Sequence, residues 1–128
     1  MGVKPIQKDM RNDKQNLIMD LSVEFSLDII DFCSLLEEKR EFIISRQLLK
    51  SGTSIGANIS EAQNAESRAD FIHKLKIAAK EADETRYWFT LCDRSSRLPF
   101  DPALSVKLQS IINILSKIIS TTKSKVYT

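Results

Sequence analysis

Apolar and small residues alternate at spacings of four and three through Phe71, Leu75, Ala78, Ala82, Thr85, Phe89 and Cys92. A row of that period lies along one edge of an α-helix and is stable only when a facing helix covers it. Three other segments carry rows of the same kind. The first runs through Ile18, Leu21, Phe25, Ile29, Phe32 and Leu36, the second through Ile44, Leu48, Ile55, Ile59 and Ala62, and the last through Leu104, Leu108, Ile111, Leu115 and Ile118. Only three Gly and three Pro are present, too few for the turns of an all-β fold. The sequence therefore predicts an all-α fold, an antiparallel up-down-up-down four-helix bundle with short connections.

Local signals set the boundaries. Residues 1–12 read as a flexible polar N-terminal arm, and 13–128 as a single domain. Asp13 is a candidate N-cap for a helix over 14–37 that ends at Glu37-Glu38-Lys39-Arg40. The second helix starts near Glu41. Ser67-Arg68-Ala69-Asp70 resembles a capping box with Asp in the usual Glu place. Asp101-Pro102 supplies an N-cap followed by Pro at the first helical position. Ile112, Ile119 and Val126 widen the apolar face of the last helix beyond one seam.

The run Ser51–Ala62 contains two glycines and would suit a loop, yet helical spacing passes straight through it. An interior helix glycine costs about 1 kcal/mol relative to alanine, so Gly52 and Gly56 are expected to admit a neighbouring backbone. In a hairpin of the second and third helices, facing residue numbers sum to roughly 130. That places Gly52 near Ala78 and Leu48 near Ala82, a close contact made by Gly52, Gly56, Ala78 and Ala82.

Chemistry was sought in the same residues. A phosphate loop needs a preceding strand and a Gly-Lys-Ser/Thr ending, whereas Gly56 is followed by Ala57, Asn58 and Ile59. Glu81 and Glu84 lie one turn apart, but a di-metal carboxylate bundle needs Glu-x-x-His on two helices, and His73 has no such partner. Asn58, Glu61, Glu81 and Glu84 are read as structural polar residues, with Asn58 a buried register-fixing group and Glu81 or Glu84 bonding across helices. Cys33 and Cys92 are read as reduced core thiols. No cofactor, metal or catalytic residue is assigned, and the expected class is non-enzymatic.

The charge balance of +2 hides an asymmetry. Asp20, Glu24, Asp28 and Asp31 make the first segment acidic, while Arg97, Lys107, Lys117, Lys123 and Lys125 face the single Asp101 in the last. As neighbouring helices, these segments can pair much of that charge. No apolar run reaches the roughly 18 residues of a membrane span, and residues 1–16 lack the apolar centre of a secretory signal. The reading is a soluble cytoplasmic chain with no membrane partner. Trp88, Ile112 and Ile119 are candidate oligomer contacts.

Thr53-Ser54-Ile55-Gly56-Ala57-Asn58-Ile59, Asp70-Phe71-x-x-Lys74 and Lys80-Glu81-Ala82-x-Glu84-Thr85-x-Tyr87-Trp88 together resemble a known family. It is the bacterial four helix bundle protein family, also called the 23S ribosomal-RNA intervening-sequence protein family because some members are encoded within insertions in large-subunit rRNA genes. The resemblance runs from about Asn16 to the final helix. It implies a left-handed antiparallel bundle, assembly into a ring-like homopentamer, and no catalytic residues. A related branch, the accessory protein of diversity-generating retroelements, is a strongly basic barrel that binds reverse transcriptase and nucleic acid; this chain departs from it in its near-balanced charge. Two functions are expected from this. One is a homo-oligomeric scaffold or adaptor associated with RNA or a nucleic-acid-processing protein. The alternative is direct nucleic-acid binding through a basic surface formed in the oligomer.

Overall fold

A computed structural model describes residues 13–126, side chains of the terminal few aside, as four helices: α1 (Asp13–Glu38), α2 (Phe42–Ala62), α3 (Arg68–Arg94) and α4 (Pro102–Val126). The arm over 1–12 and the side chain of Val126 lie outside the described residues. Each helix packs on two neighbours, α1 on α2 and α4, and α3 on α2 and α4. That is the closed antiparallel four-helix arrangement.

The core is built from the rows read in the sequence. Ile18, Phe25, Ile29 and Leu36 of α1 are buried against Leu48, Ile55 and Ile59 of α2, Leu75, Ala78, Ala82 and Phe89 of α3, and Leu108, Ile111 and Leu115 of α4. Phe25 meets Phe89 edge-on at 6.1 Å, and Phe100, from the α3–α4 connection, lies 5.1 Å from Phe89 and 6.1 Å from Phe32. The aromatic group closes one end of the core.

Helix ends follow the expected chemistry, with two departures. Ser67 Oγ accepts the Asp70 N–H at 3.0 Å, but the Asp70 carboxylate returns to the Glu66 N–H at 3.3 Å, one residue before the cap. At α4, Asp101 Oδ1 accepts the Ala103 N–H at 3.0 Å with Pro102 in the first turn. The α1–α2 corner is a Schellman turn. The Arg40 N–H bonds Glu37 O at 2.9 Å and the Glu41 N–H bonds Leu36 O at 2.9 Å. Its left-handed position, usually glycine, holds Arg40 at φ 63°.

The α2–α3 register is displaced from the expected one. Ser51 meets Thr85 and Glu61 meets Lys74, so the hairpin pivots near Ser67 rather than Ala65. The cause is the connection itself: α3 starts only at Arg68, after the Ser67 cap.

The role given to the glycines also needs correction. A Cβ on Gly52 would lie 2.8 Å from Ile29 Cγ1, and one on Gly56 would lie 3.2 Å from Ser22 Oγ. Both nearest neighbours belong to α1. The missing side chains admit α1, not the stretch of α3 near Ala78. Ala78 and Ala82 are fully buried in the core, where small side chains fit beneath the larger apolar groups.

Candidate interaction surfaces

The buried polar groups link helices and face no solvent cleft. Thr85 Oγ1 donates to Glu81 O at 2.8 Å, one turn back, and so accepts its second bond, 2.9 Å long, from Ser51 Oγ of α2. Ser45 Oγ sits 3.2 Å from Cys33 O and 3.1 Å from the Glu37 carboxylate, while the Cys33 thiol donates to Ser45 O at 3.3 Å. Burial pushes the Cys33 thiol above its ordinary range and the Cys92 thiol up to about 11. Both cysteines are free and buried. Sequence reading missed Ser45 and Ser51 as helix links; their signal was hydroxyls recurring on the face that carries Leu48.

The polar residues singled out in the sequence take different places. Asn58 is half-buried and donates to Ser54 O of its own helix at 2.9 Å, so it fixes no register between helices. Its position on the flank of α2 lets the side chain fold back along the helix. Glu61 is exposed and takes the Lys74 ammonium of α3 at 2.8 Å, which holds that lysine above its ordinary range. Glu84 accepts the indole N–H of Trp88 at 3.1 Å, a bond within α3 and not across helices. Glu81 is half-buried; desolvation, with the Glu84 charge added, raises its carboxyl above the usual range. Among the described residues no group of three or more His, Cys, Asp or Glu side chains is placed to hold a metal ion.

Ile112 and Ile119, expected at an oligomer contact, are half-buried and pack against the core, as Trp88 does. The second apolar stripe of α4 is explained by its two neighbours: one helix packed on both α1 and α3 needs a wide apolar face. By length and composition α4 would suit a membrane span, but Leu104, Leu108, Ile111, Leu115 and Ile118 spend that apolar content inside the bundle.

Exposed apolar side chains gather elsewhere, in two places. On α1, Val23, Leu27 and Ile30 form an outward row at spacings of four and three, with Leu27 57% exposed. Phe42 and Leu49, two turns apart on α2, stand along the other edge of the same α1–α2 groove. Acidic Asp20, Glu24 and Asp31 border this patch on α1, and basic Arg46 and Lys50 border it on α2; all five are exposed. The second patch lies on the α2–α3 side, where α2 begins and α3 ends. It consists of Ile43 (79% exposed), Tyr87, Leu91 and the partly covered Trp88, whose ring meets Tyr87 at 5.1 Å. Both patches were missed in the sequence.

Fold and surfaces together define a small antiparallel four-helix bundle whose open features are patches and shallow grooves. The chain belongs to the 23S rRNA-intervening sequence protein family, whose profile matches residues 14–121. It is similar to the crystal structure of an S23 ribosomal protein family member from Bacteroides thetaiotaomicron, itself a protein of unknown function. The two are 42% identical with a TM-score of 0.76, over 90% of this chain and 99% of that one. A comparison with curated proteins finds no match.

Proposed function

We propose that this chain is a non-enzymatic cytoplasmic scaffold or adaptor that works as a homo-oligomeric ring in association with RNA or a nucleoprotein. The observation that carries the oligomer is the pair of apolar patches, one on the α1–α2 groove and one at the Ile43–Leu91 corner. A head-to-tail ring uses two different faces of each copy, and a bundle with two separate unpartnered patches supplies them. Contiguous exposed apolar surface is uncommon on a monomer. The association with RNA draws on the name of the family and is the less direct part of the reading. A ring of five is the expected size.

Sedimentation at micromolar protomer concentration tests the assembly. The wild type should run as one discrete oligomer, and Leu27→Glu/Ile30→Glu or Ile43→Glu/Leu91→Glu should each run as helical monomers. An equimolar mixture of the two variants should then form a heterodimer, because one intact joint can be made between them. A wild-type monomer at this concentration would overturn the ring.

A further inference from the structure

Several exposed cations of this bundle have a carboxylate beside them. Lys74 pairs with Glu61, Arg86 with Asp83, Arg97 with Glu41 and Lys107 with Asp28. One corner breaks the pattern. Lys76 of α3 and Lys123 of α4 come within hydrogen-bonding reach of each other, and the contact between the two ammoniums holds Lys76 below the ordinary lysine range. Among the described residues no carboxylate pairs with either. Like charges brought together without a counter-charge are a favourable place for an anion.

The surroundings fit one. Ser116, Ile119, Ser120, Lys123 and Ser124 line an open groove on α4. Ser116, Ser120 and Ser124 follow at helical spacing along one edge, and none donates its hydroxyl to a described residue. Ser54, Thr90, Ser110 and Thr122, by contrast, bond the carbonyl one turn back. The groove therefore offers two ammoniums and a row of uncommitted hydroxyls. No Asp or Glu occurs anywhere in α4, and Ser105, Gln109 and Asn113 extend a neutral, exposed polar strip toward its N-terminus.

We propose that the α3–α4 groove at Lys76 and Lys123 binds the phosphodiester backbone of an RNA strand, with the ammoniums on phosphate oxygens and the Ser116 and Ser120 hydroxyls donating beside them. Lysine and hydroxyl side chains are the usual partners of phosphate and sugar oxygens. The groove is open along its length, which suits a strand better than a small molecule. The neutral strip along α4 supplies donors and acceptors for ribose 2′-hydroxyls, the groups that distinguish RNA from DNA. The site lies toward the opposite end of α3 from Tyr87 and Leu91, so in a ring every copy would present one. This inference rests on the association with RNA proposed above.

Anisotropy of a labelled single-stranded RNA, titrated with the full chain across a salt series, tests it. In Lys76→Ala/Lys123→Ala the log–log salt slope should shrink by about 0.7–1.4, the share of one to two phosphates. Affinity at low salt should fall by about tenfold or more, while Lys76→Arg/Lys123→Arg retains both slope and affinity. Both lysines are exposed, and circular dichroism checks that each variant stays helical. A slope unchanged by the alanine pair overturns this groove and leaves RNA association standing. Equal affinity for the matching DNA strand overturns the assignment to RNA. A wild type that fails to bind at about 50 mM salt, where attraction is only weakly screened, removes the RNA reading and the groove together.

Discussion

Gly52→Ala is the most informative single change in the core. The added methyl brings a helix-propensity gain of about 1 kcal/mol. It also places a carbon 2.8 Å from Ile29 Cγ1 and 3.0 Å from both Cδ1 and Cγ2. Ile29 is fully buried and β-branched, with no solvent to swing into and few rotamers to use. Overpacking of this kind costs about 1–3 kcal/mol, so the net change is a destabilisation of roughly 0–2 kcal/mol. Ile29→Ala removes all three clashing atoms and alone costs about 2–5 kcal/mol through the cavity it leaves. In that background Gly52→Ala should become stabilising, because the propensity gain remains and the methyl enters the vacated space. The double-mutant cycle should therefore show a favourable coupling of about 1–3 kcal/mol. Urea unfolding followed by far-UV circular dichroism at one fixed protomer concentration measures each corner. Additivity within about 0.5 kcal/mol would refute the α1 contact. A sign reversal produced instead by Ala78→Gly would restore the hairpin-facing role expected from the sequence.

Gly56→Ala is the comparison within the same helix. Its Cβ meets Ser22 Oγ at 3.2 Å and Ser26 Oγ at 3.4 Å, groups that can rotate away, so its unfolding midpoint should be unchanged or rise by up to about 1 kcal/mol in stability. Arg40→Gly relieves a left-handed backbone at an exposed corner and should stabilise by about 0.5–1 kcal/mol after the added freedom of the unfolded chain, read by the same titration. Glu81 has a folded-state carboxyl raised above its unfolded value, so its contribution is favourable at low pH and is lost as pH rises through the folded value. Glu81→Gln should therefore raise the melting temperature at neutral pH, with the gain vanishing below about pH 4. With the Cys92 thiol pushed up to about 11 and both thiols buried, iodoacetamide at pH 8 should leave the native chain unlabelled and modify both cysteines in urea. Fast labelling without urea would contradict that burial.

What was legible in the sequence was the face of each helix. Period alone places Leu75, Ala78, Ala82, Phe89 and Cys92 inward, and the Ser67 and Asp101 signals fix where α3 and α4 begin. Which neighbour a flank touches was not legible. Ser51 and Gly52 are adjacent, yet a helix turns about 100° per residue, so Ser51 reaches Thr85 of α3 while Gly52 meets Ile29 of α1. A local pattern carries no information that separates those flanks. Asn58 was misread for a related reason: a polar residue beside Ile59 sits at the edge of the apolar face, where a bond along its own helix satisfies it. Ile112 and Ile119 show the same ambiguity of width, since a face broad enough for two neighbours reads like one core seam plus a surface stripe.

Exposed apolar rows were hidden by their own period. Val23, Leu27 and Ile30 repeat at the same spacing as Ile18, Phe25 and Ile29, so α1 reads as generally apolar and the two rows separate only once α2 and α4 are in place. The division this reveals has a physical logic. Outward apolar side chains concentrate on α1 and α2 and at the end of α3, where a second copy can remove them from water at about 25 cal/mol per Å² of apolar surface. Much of the outer face of α4 instead carries Ser, Gln and Asn with no acidic residue, a surface that gains little from burial against protein and repels no polyanion. A ring built through the first set of faces would leave the second exposed on every subunit. Several weak phosphate contacts held at fixed spacing then bind one strand far more tightly than any single groove, because each later contact forms at high effective concentration. Assembly and nucleic-acid affinity are thereby coupled. Variants that break the apolar joints should weaken RNA binding without touching Lys76 or Lys123, whereas the lysine variants should leave the sedimentation of the ring unchanged.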